Sequence, residues 1–232
     1  MRVAILQPNY LPWLGVFYQI YKNDIFVFYD DVPYDKGGWR NRNKIKTPKG
    51  EQWLTVPVLT KGKFGDLIYR IEINNTVNWR KKHLIALKTN YSHSPFYNKY
   101  LEYFEDIYSQ EWNFIKDIDI KIIKDITSML GIQADFVCSS DLNIDGENAN
   151  KTERLIRVLK KLSATHYMAS NASKDYLNES LFKENGIELS YHNYKHPTYS
   201  QMYGGFISHL SILDLLFNCG DKSLEILLSE ME

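Results

Sequence analysis

Cysteine is scarce in this chain. Cys138 and Cys219 are the only two among 232 residues, far apart and outside any metal-ligand spacing. Two such residues make neither a disulfide framework nor a zinc module. Charge of one sign is not in excess either, with 28 Lys plus Arg against 28 Asp plus Glu. A protein that neutralises long stretches of phosphate needs a basic surplus, so a general nucleic-acid-binding surface is excluded and a local basic pocket is not. No apolar run approaches the roughly 20 residues of a membrane span, and the stretch after Met1 is too short for a secretory signal. A cytoplasmic setting is the expectation. Also missing are the glycine-rich phosphate loops G-x-G-x-x-G and G-x-x-x-x-G-K-[ST], the G-x-S-x-G elbow and H-E-x-x-H. No metal is therefore expected.

What is abundant is aromatic: 17 Tyr, 11 Phe and 5 Trp. Short apolar runs bounded by turn residues predict strands at Val3–Leu6, Ile25–Tyr29, Trp53–Val58, Ile68–Ile73, Ala134–Cys138, His166–Ala169 and Ile187–Tyr191. Helical spacing falls at Val16–Tyr21, Trp79–Asn90, Tyr97–Tyr108, Asn113–Leu130, Lys151–Leu162, Lys174–Glu184 and Ser211–Phe217. In 113–130, Phe114, Ile118, Ile122, Ile126 and Leu130 form an apolar stripe, with Gly131 as its C-cap. Asn150 and Glu153 have the spacing of a capping box. Alternating strands and helices predict an α/β fold with a mainly parallel sheet flanked by helices. Residues 34–75, with Lys49-Gly50 and Lys61-Gly62-Lys63 turns and no helical pattern, read as a small antiparallel insertion. Residues 79–130 read as a helical segment of the same single domain, 1–232.

Four polar blocks follow predicted strands. Gln7-Pro8-Asn9-Tyr10 and Tyr29-Asp30-Asp31 would share the carboxyl edge of a parallel sheet, where ligands bind in such folds. Asp30 and Asp31 there could hold ligand hydroxyls or a divalent ion, serve as a base, or simply cap a turn. In Trp39–Gly50, Arg40, Arg42, Lys44 and Lys46 share one strand face and Asn41, Asn43 and Ile45 the other. That face suits phosphate or carboxylate, and equally a solvated edge strand. Ser170, Asn171 and Ser173 before a helix, with Tyr176 one turn in, suit an anion or sugar hydroxyl, or ordinary capping. Finally, His192, His196, Tyr199, Gln201, Tyr203 and His209 surround Gly204-Gly205. His196, titrating near neutrality, is the candidate general base or a structural imidazole.

QPNYLPWLGVFYQIYKNDIFVFYDDV, WRNRNKIKTPKGEQWLTVPV, the Ser170–Tyr176 block and YKHPTYSQMYGGFISHLSILDLLFNCG together resemble the WbqC-like protein family over nearly the whole chain. One departure is Pro33, where a Gln is expected. The resemblance implies a cytoplasmic enzyme of bacterial surface-polysaccharide (O-antigen) biosynthesis, acylating or aminoacylating an amino sugar carried on a nucleotide or lipid. On that reading Arg42, Lys44 and Asn41 hold phosphate, and Gln7, Asn9, Tyr10, Asp31, Ser170, Asn171, Tyr176, Tyr199 and Gln201 bind the nucleotide-sugar. His196 or Asp30 deprotonates the amine. The acyl donor, whether aminoacyl-tRNA, carrier protein or CoA, stays open. The opening strand–turn–helix is also similar to HUP-type nucleotidylyltransferases and pantothenate synthetase, where a His-containing turn holds ATP phosphates; no His occupies that turn here. Two other readings are ATP-dependent ligation or nucleotidyl transfer, with ATP and Mg, and non-catalytic sugar binding or scaffolding.

Overall fold

Strands β1 (Arg2–Leu6), β2 (Ile25–Phe28), β5 (Asp135–Cys138), β6 (His166–Ser170) and β7 (Glu188–His192) form one all-parallel sheet in the order β5-β2-β1-β6-β7. The computed structural model describes residues 1–60, 62, 65–144 and 149–229. Strands buried on both faces read as unbroken apolar runs, and alternation sends their side chains to two cores. Val3, Ile5 and Val27 pack against α5 (Lys151–Lys161) and α6 (Glu179–Glu184). Ala4, Phe26 and Phe28 face the larger core built by α1 (Leu14–Lys22), α2 (Trp79–Tyr91), α3 (Tyr97–Ser109), α4 (Ile115–Met129) and α7 (Ile212–Cys219). A short α8 (Ser223–Leu228), which carried no sequence signal, closes the chain's described part. Among the described residues no helix is long and apolar enough to cross a membrane.

The predicted caps form. Gly131 turns left-handed at φ 72°, and Asn150 and Glu153 exchange side chain and backbone at 3.0 and 2.9 Å. The insertion holds one antiparallel hairpin, β3 (Arg42–Thr47) with β4 (Gly50–Thr55), in a separate two-stranded sheet. Two expectations change, one in this insertion and one near the third polar block. The run predicted as a strand at 68–73 is a 3-10 turn over Ile68–Arg70 with isolated bridges around it, because Tyr69 and Ile71 bond back to Asp30 and Ile68 instead of to a neighbouring strand. The helix predicted from Lys174 starts only at Glu179, where Asn178 caps it; Asn171–Ser173 form a 3-10 turn before it. Lys61 and Lys63 of the expected second turn lie outside the described residues.

Chain order reverses between β1 and β6: from the centre the sheet grows outward through β2 and β5, then from the opposite side of β1 through β6 and β7. The crevice outside the carboxyl ends of two such strands is the usual ligand position in open α/β sheets.

Candidate functional site

A cavity of about 740 Å3 opens at that reversal. Its floor comes from Leu6 and Gln7 after β1, its sides from Tyr29 and Asp31 after β2 and from Ser170, Ser173 and Tyr176 after β6. Above them stands the start of α5, with Asn150, Lys151 and Arg154, and across the opening lies Arg40. The volume falls within the ~300–1,000 Å3 of ordinary small-molecule sites. Arg154 donates to Asp31 Oδ2 at 2.6 Å and to the Asp31 carbonyl at 3.2 Å. Its Nε is enclosed with no partner. Burial alone would lower the Arg154 pKa, but Tyr29 and Asp31 beside it outweigh that and raise it. Two guanidinium groups, an ammonium and the positive end of a helix thus converge where hydroxyls also face inward, an arrangement that suits phosphate oxygens attached to a polyol.

The adjacent aspartates part company. β2 has already ended at Phe28, and in the irregular segment that follows Asp31 lines the cavity while Asp30 is buried against Ser139, Ser140 and Lys116. Asp30 is wholly enclosed, accepting from Ser140 N at 3.0 Å, Ser140 Oγ at 2.8 Å and Ser139 Oγ at 3.3 Å, with Lys116 Nζ at 3.4 Å. It fastens β2 to the turn after β5. Tyr10 likewise points inward, its hydroxyl 2.9 Å from His83 Nδ1 and 2.7 Å from Tyr108 Oη. Burial pushes the Tyr10 hydroxyl well above the usual phenol range and His83 down to about 4.

Asn9 accepts from Arg40 and faces a second, smaller cavity of about 240 Å3, shared with Pro12, Trp13, Trp39, Asn43 and His209. Three sequence blocks meet there, laced by Tyr10 N to Trp39 O (3.2 Å), Ile212 N to Pro12 O (2.9 Å), Ser211 N to Lys44 O (2.9 Å) and Asn43 Nδ2 to Leu11 O (2.7 Å). The two glycine-like turns in this lacing are non-glycine residues, Leu11 at φ 47° and His209 at φ 58°. Such conformations persist only where the surroundings enforce them, and they cluster at binding sites. Gly15 is needed here for space: a Cβ on it would come within 2.3 Å of the Trp13 indole.

The cationic strand splits by alternation. Arg42 and Lys44 face outward over the Trp53 ring at 4.5 and 5.2 Å, with Lys44 also paired to Glu51 at 2.6 Å, while Asn43 and Ile45 are buried. Lys46 departs from the pattern. The loop before α7 folds over it, and its Nζ donates to Gln201 Oε1 at 3.1 Å, Gly204 O at 2.8 Å and Gly205 O. Gln201 clips the same loop through Ile207, and Asn41 ties the hairpin to Val56 O at 2.7 Å. Tyr199 is buried beside Asp214. Asn171 does not line the large cavity; its Nδ2 donates to Asn193 Oδ1 at 3.3 Å.

His196 lies behind the aromatic cavity, stacked on Trp13 at 6.2 Å and tilted against His209 at 4.9 Å. A carbonyl can only accept, so the 2.8 Å contact to Pro197 O fixes the proton on Nδ1 and leaves the lone pair on Nε2. That Nε2 is enclosed without a partner. Burial lowers the His196 pKa, against the Pro197 bond and helped by His209. His209 is the imidazole that lines the cavity.

Of the residues proposed from sequence, Gln7, Asp31, Ser170 and Tyr176 converge on the large cavity and Asn9 on the small one. Asp30, Tyr10, Asn41 and Gln201 serve as internal ties, and Arg42 and Lys44 sit on the hairpin's outer face. Sequence reasoning passed over Arg154 and Lys151, although the capping box places both on the first turn of α5, and it did not single out Trp13 or Trp39. No group of three His, Cys, Asp or Glu able to hold a metal occurs among the described residues.

The sequence model of the WbqC-like protein family matches residues 7–226. An uncharacterized protein of Mycobacterium tuberculosis is 38% identical over 229 residues, which is 97% of each chain. No solved structure matches the chain.

Proposed function

The chain belongs to the WbqC-like protein family, and from that premise we propose that it is an enzyme of bacterial surface-polysaccharide (O-antigen) biosynthesis. It transfers an acyl or aminoacyl group to the amino group of a nucleotide-linked amino sugar. The observation that carries this reading is the cavity at the sheet's reversal point, where Arg154, Lys151, Arg40 and the start of α5 meet inward-facing hydroxyls. Arg154 and the first turn of α5 hold the diphosphate, with Arg40 opposite. Gln7, Ser170, Ser173 and Tyr176 bond the sugar hydroxyls.

In the transfer step a base takes a proton from the sugar ammonium, the freed amine attacks the donor carbonyl, and an amide C–N bond forms as the donor's C–O or C–S bond breaks. The departing oxygen or sulfur takes up a proton. The base belongs to the His196–His209 pair, of which His209 faces open space and His196 holds its lone pair on the enclosed Nε2. Asp30, which was the other candidate base, sits too deep to touch a substrate and acts through the placement of Asp31.

The test is binding of UDP-glucosamine by titration calorimetry, followed by amide formation with acyl donors. Arg154→Ala removes charge-assisted hydrogen bonds of about 1.5–3 kcal/mol, so binding weakens by tenfold or more. Wild-type protein that binds no nucleotide-linked sugar refutes the reading. A second reading, ATP-dependent ligation or nucleotidyl transfer in the same cavity, draws on the same convergence of cations at a parallel-sheet edge. Mg-dependent release of AMP and pyrophosphate would favour it.

A further inference from the structure

The small aromatic cavity is separate from the large one, and the Asn9–Arg40 hydrogen bond stands between them: Asn9 lines the first and Arg40 the second. Next to it, the Trp39 and Trp53 rings lie tilted against each other, 5.3 Å between centres and 35° between planes, and remain 44% and 42% exposed. Arg42 lies over Trp53, its guanidinium 4.5 Å from the ring centre. Its hydrogen bonds go to the Gly37 and Gly38 carbonyls, with no carboxylate partner among the described residues. We propose that Trp39, Trp53, Arg42 and the cavity behind Trp39 form a second nucleotide site, which takes the nucleobase and phosphate of the activated donor.

Three observations select this ligand class. An indole that faces a cavity, Trp39, beside a second indole and an arginine is the chemistry that stacks flat bases and tracks their phosphates. A volume of about 240 Å3, below that of a complete small-molecule site, has room for one ring. The lining of Asn9, Pro12, Trp13, Trp39, Asn43 and His209 holds no carboxylate that would favour an amine. The site is also preformed, because the backbone bonds from Tyr10, Ser211 and Ile212 fix all three of its segments. Its role as the donor site rests on the two-substrate reading above, since it sets donor and acceptor on either side of one hydrogen bond. Its existence does not depend on that reading.

AMP is the probe, followed by tryptophan fluorescence and calorimetry on the full chain. ATP, CoA and the trinucleotide CCA then distinguish a ligase co-substrate, a thioester donor and a tRNA end. AMP is expected to quench the fluorescence. Trp39→Ala should weaken AMP binding about tenfold or more, the loss of one base stack, and Trp39→Phe should restore most of it. Arg42→Ala should act on AMP and spare adenosine, and Arg154→Ala should leave AMP binding in place. An unchanged circular dichroism spectrum shows that the Trp39 variants fold. The proposal is overturned if wild-type protein binds none of these nucleotides, or if AMP binding vanishes with Arg154→Ala and survives Trp39→Ala. If UDP-glucosamine fails to bind while AMP keeps its dependence on Trp39, the large-cavity reading falls and this one stands.

Discussion

Asp214→Asn tests the electrostatics beneath the loop that closes over Lys46. Asp214 lies on α7, fully enclosed; Tyr91 donates to its Oδ1 at 2.9 Å, and the same hydroxyl receives the Lys46 amide at 3.0 Å. Burial lifts the carboxyl from 3.8 to about 6, against the Tyr91 and Tyr199 hydroxyls and the Lys46 charge. The native state therefore binds this proton more tightly than the unfolded chain does. The stabilisation is intact below about pH 4 and is lost as pH rises to about 6; at about 1.36 kcal/mol per tenfold it amounts to roughly 3 kcal/mol. Asparagine keeps an acceptor for Tyr91 and cannot ionise. The measurement is urea unfolding of both proteins from pH 4 to 8. Stability of the variant relative to the wild type should rise by up to about 3 kcal/mol across that window and then level off. A difference that stays flat, or falls with pH, would mean that the attraction to Lys46 outweighs burial and that the carboxylate is charged in the fold.

Three further outcomes follow from named contacts. Gly15→Ala gains about 1 kcal/mol of helix propensity, but its Cβ displaces the Trp13 ring, so near-neutral thermal stability should accompany a loss of AMP quenching; retained quenching would mean that Trp13 does not shape the small cavity. Asp30→Ala strips a buried carboxylate from Ser139, Ser140 and Lys116 and should cost about 3 kcal/mol in denaturant unfolding, whereas a cost below 1 kcal/mol would argue against a structural tie. Phe217→Ala removes a ring stacked on Tyr91 at 5.0 Å in the large core and should cost about 3–5 kcal/mol, read from the same unfolding curves.

How much of this was legible in the sequence depended on periodicity. The central strand β2 was visible because a strand buried on both faces must be apolar throughout, as IFVF is; β5, β6 and β7 are shorter on apolar residues and showed as brief runs between turn signals. The helix at 151–161 announced itself through Asn150 and Glu153. The path after a strand end was not legible: whether Asp30 or Asp31 meets the cavity depends on how the chain turns after Phe28, and no local signal marks that turn. Tyr10 was misplaced for a related reason. Leu11 takes a left-handed conformation, unexpected for a leucine, and the turn sends the Tyr10 ring into the core. Lys46 kept its strand parity, yet its burial depends on a loop more than 150 residues away. Arg154 lay in plain view one turn inside a predicted helix, and only the fold shows that this turn overhangs the carboxyl ends of β1 and β6.

The sequence offered His196 or Asp30 as the base, and the structure sets a second imidazole, His209, at the small cavity. A base must reach the proton it removes, and His196 Nε2 is walled off. His209 faces the cavity at φ 58°, just before the backbone bonds that Ser211 and Ile212 make to Lys44 and Pro12. If His209 is the group that meets the amine, His209→Gln should lower the rate of amide formation and leave KM for the sugar nearly unchanged. His196→Gln should act mainly on stability, because it alters a ring packed against Trp13, Tyr199 and Phe206. The reverse pattern, with His196→Gln abolishing turnover in a fully folded protein, would require Nε2 to open to substrate. Exchange of the His209 and His196 roles in that way would place the reaction behind Trp13 instead of at the Asn9–Arg40 boundary.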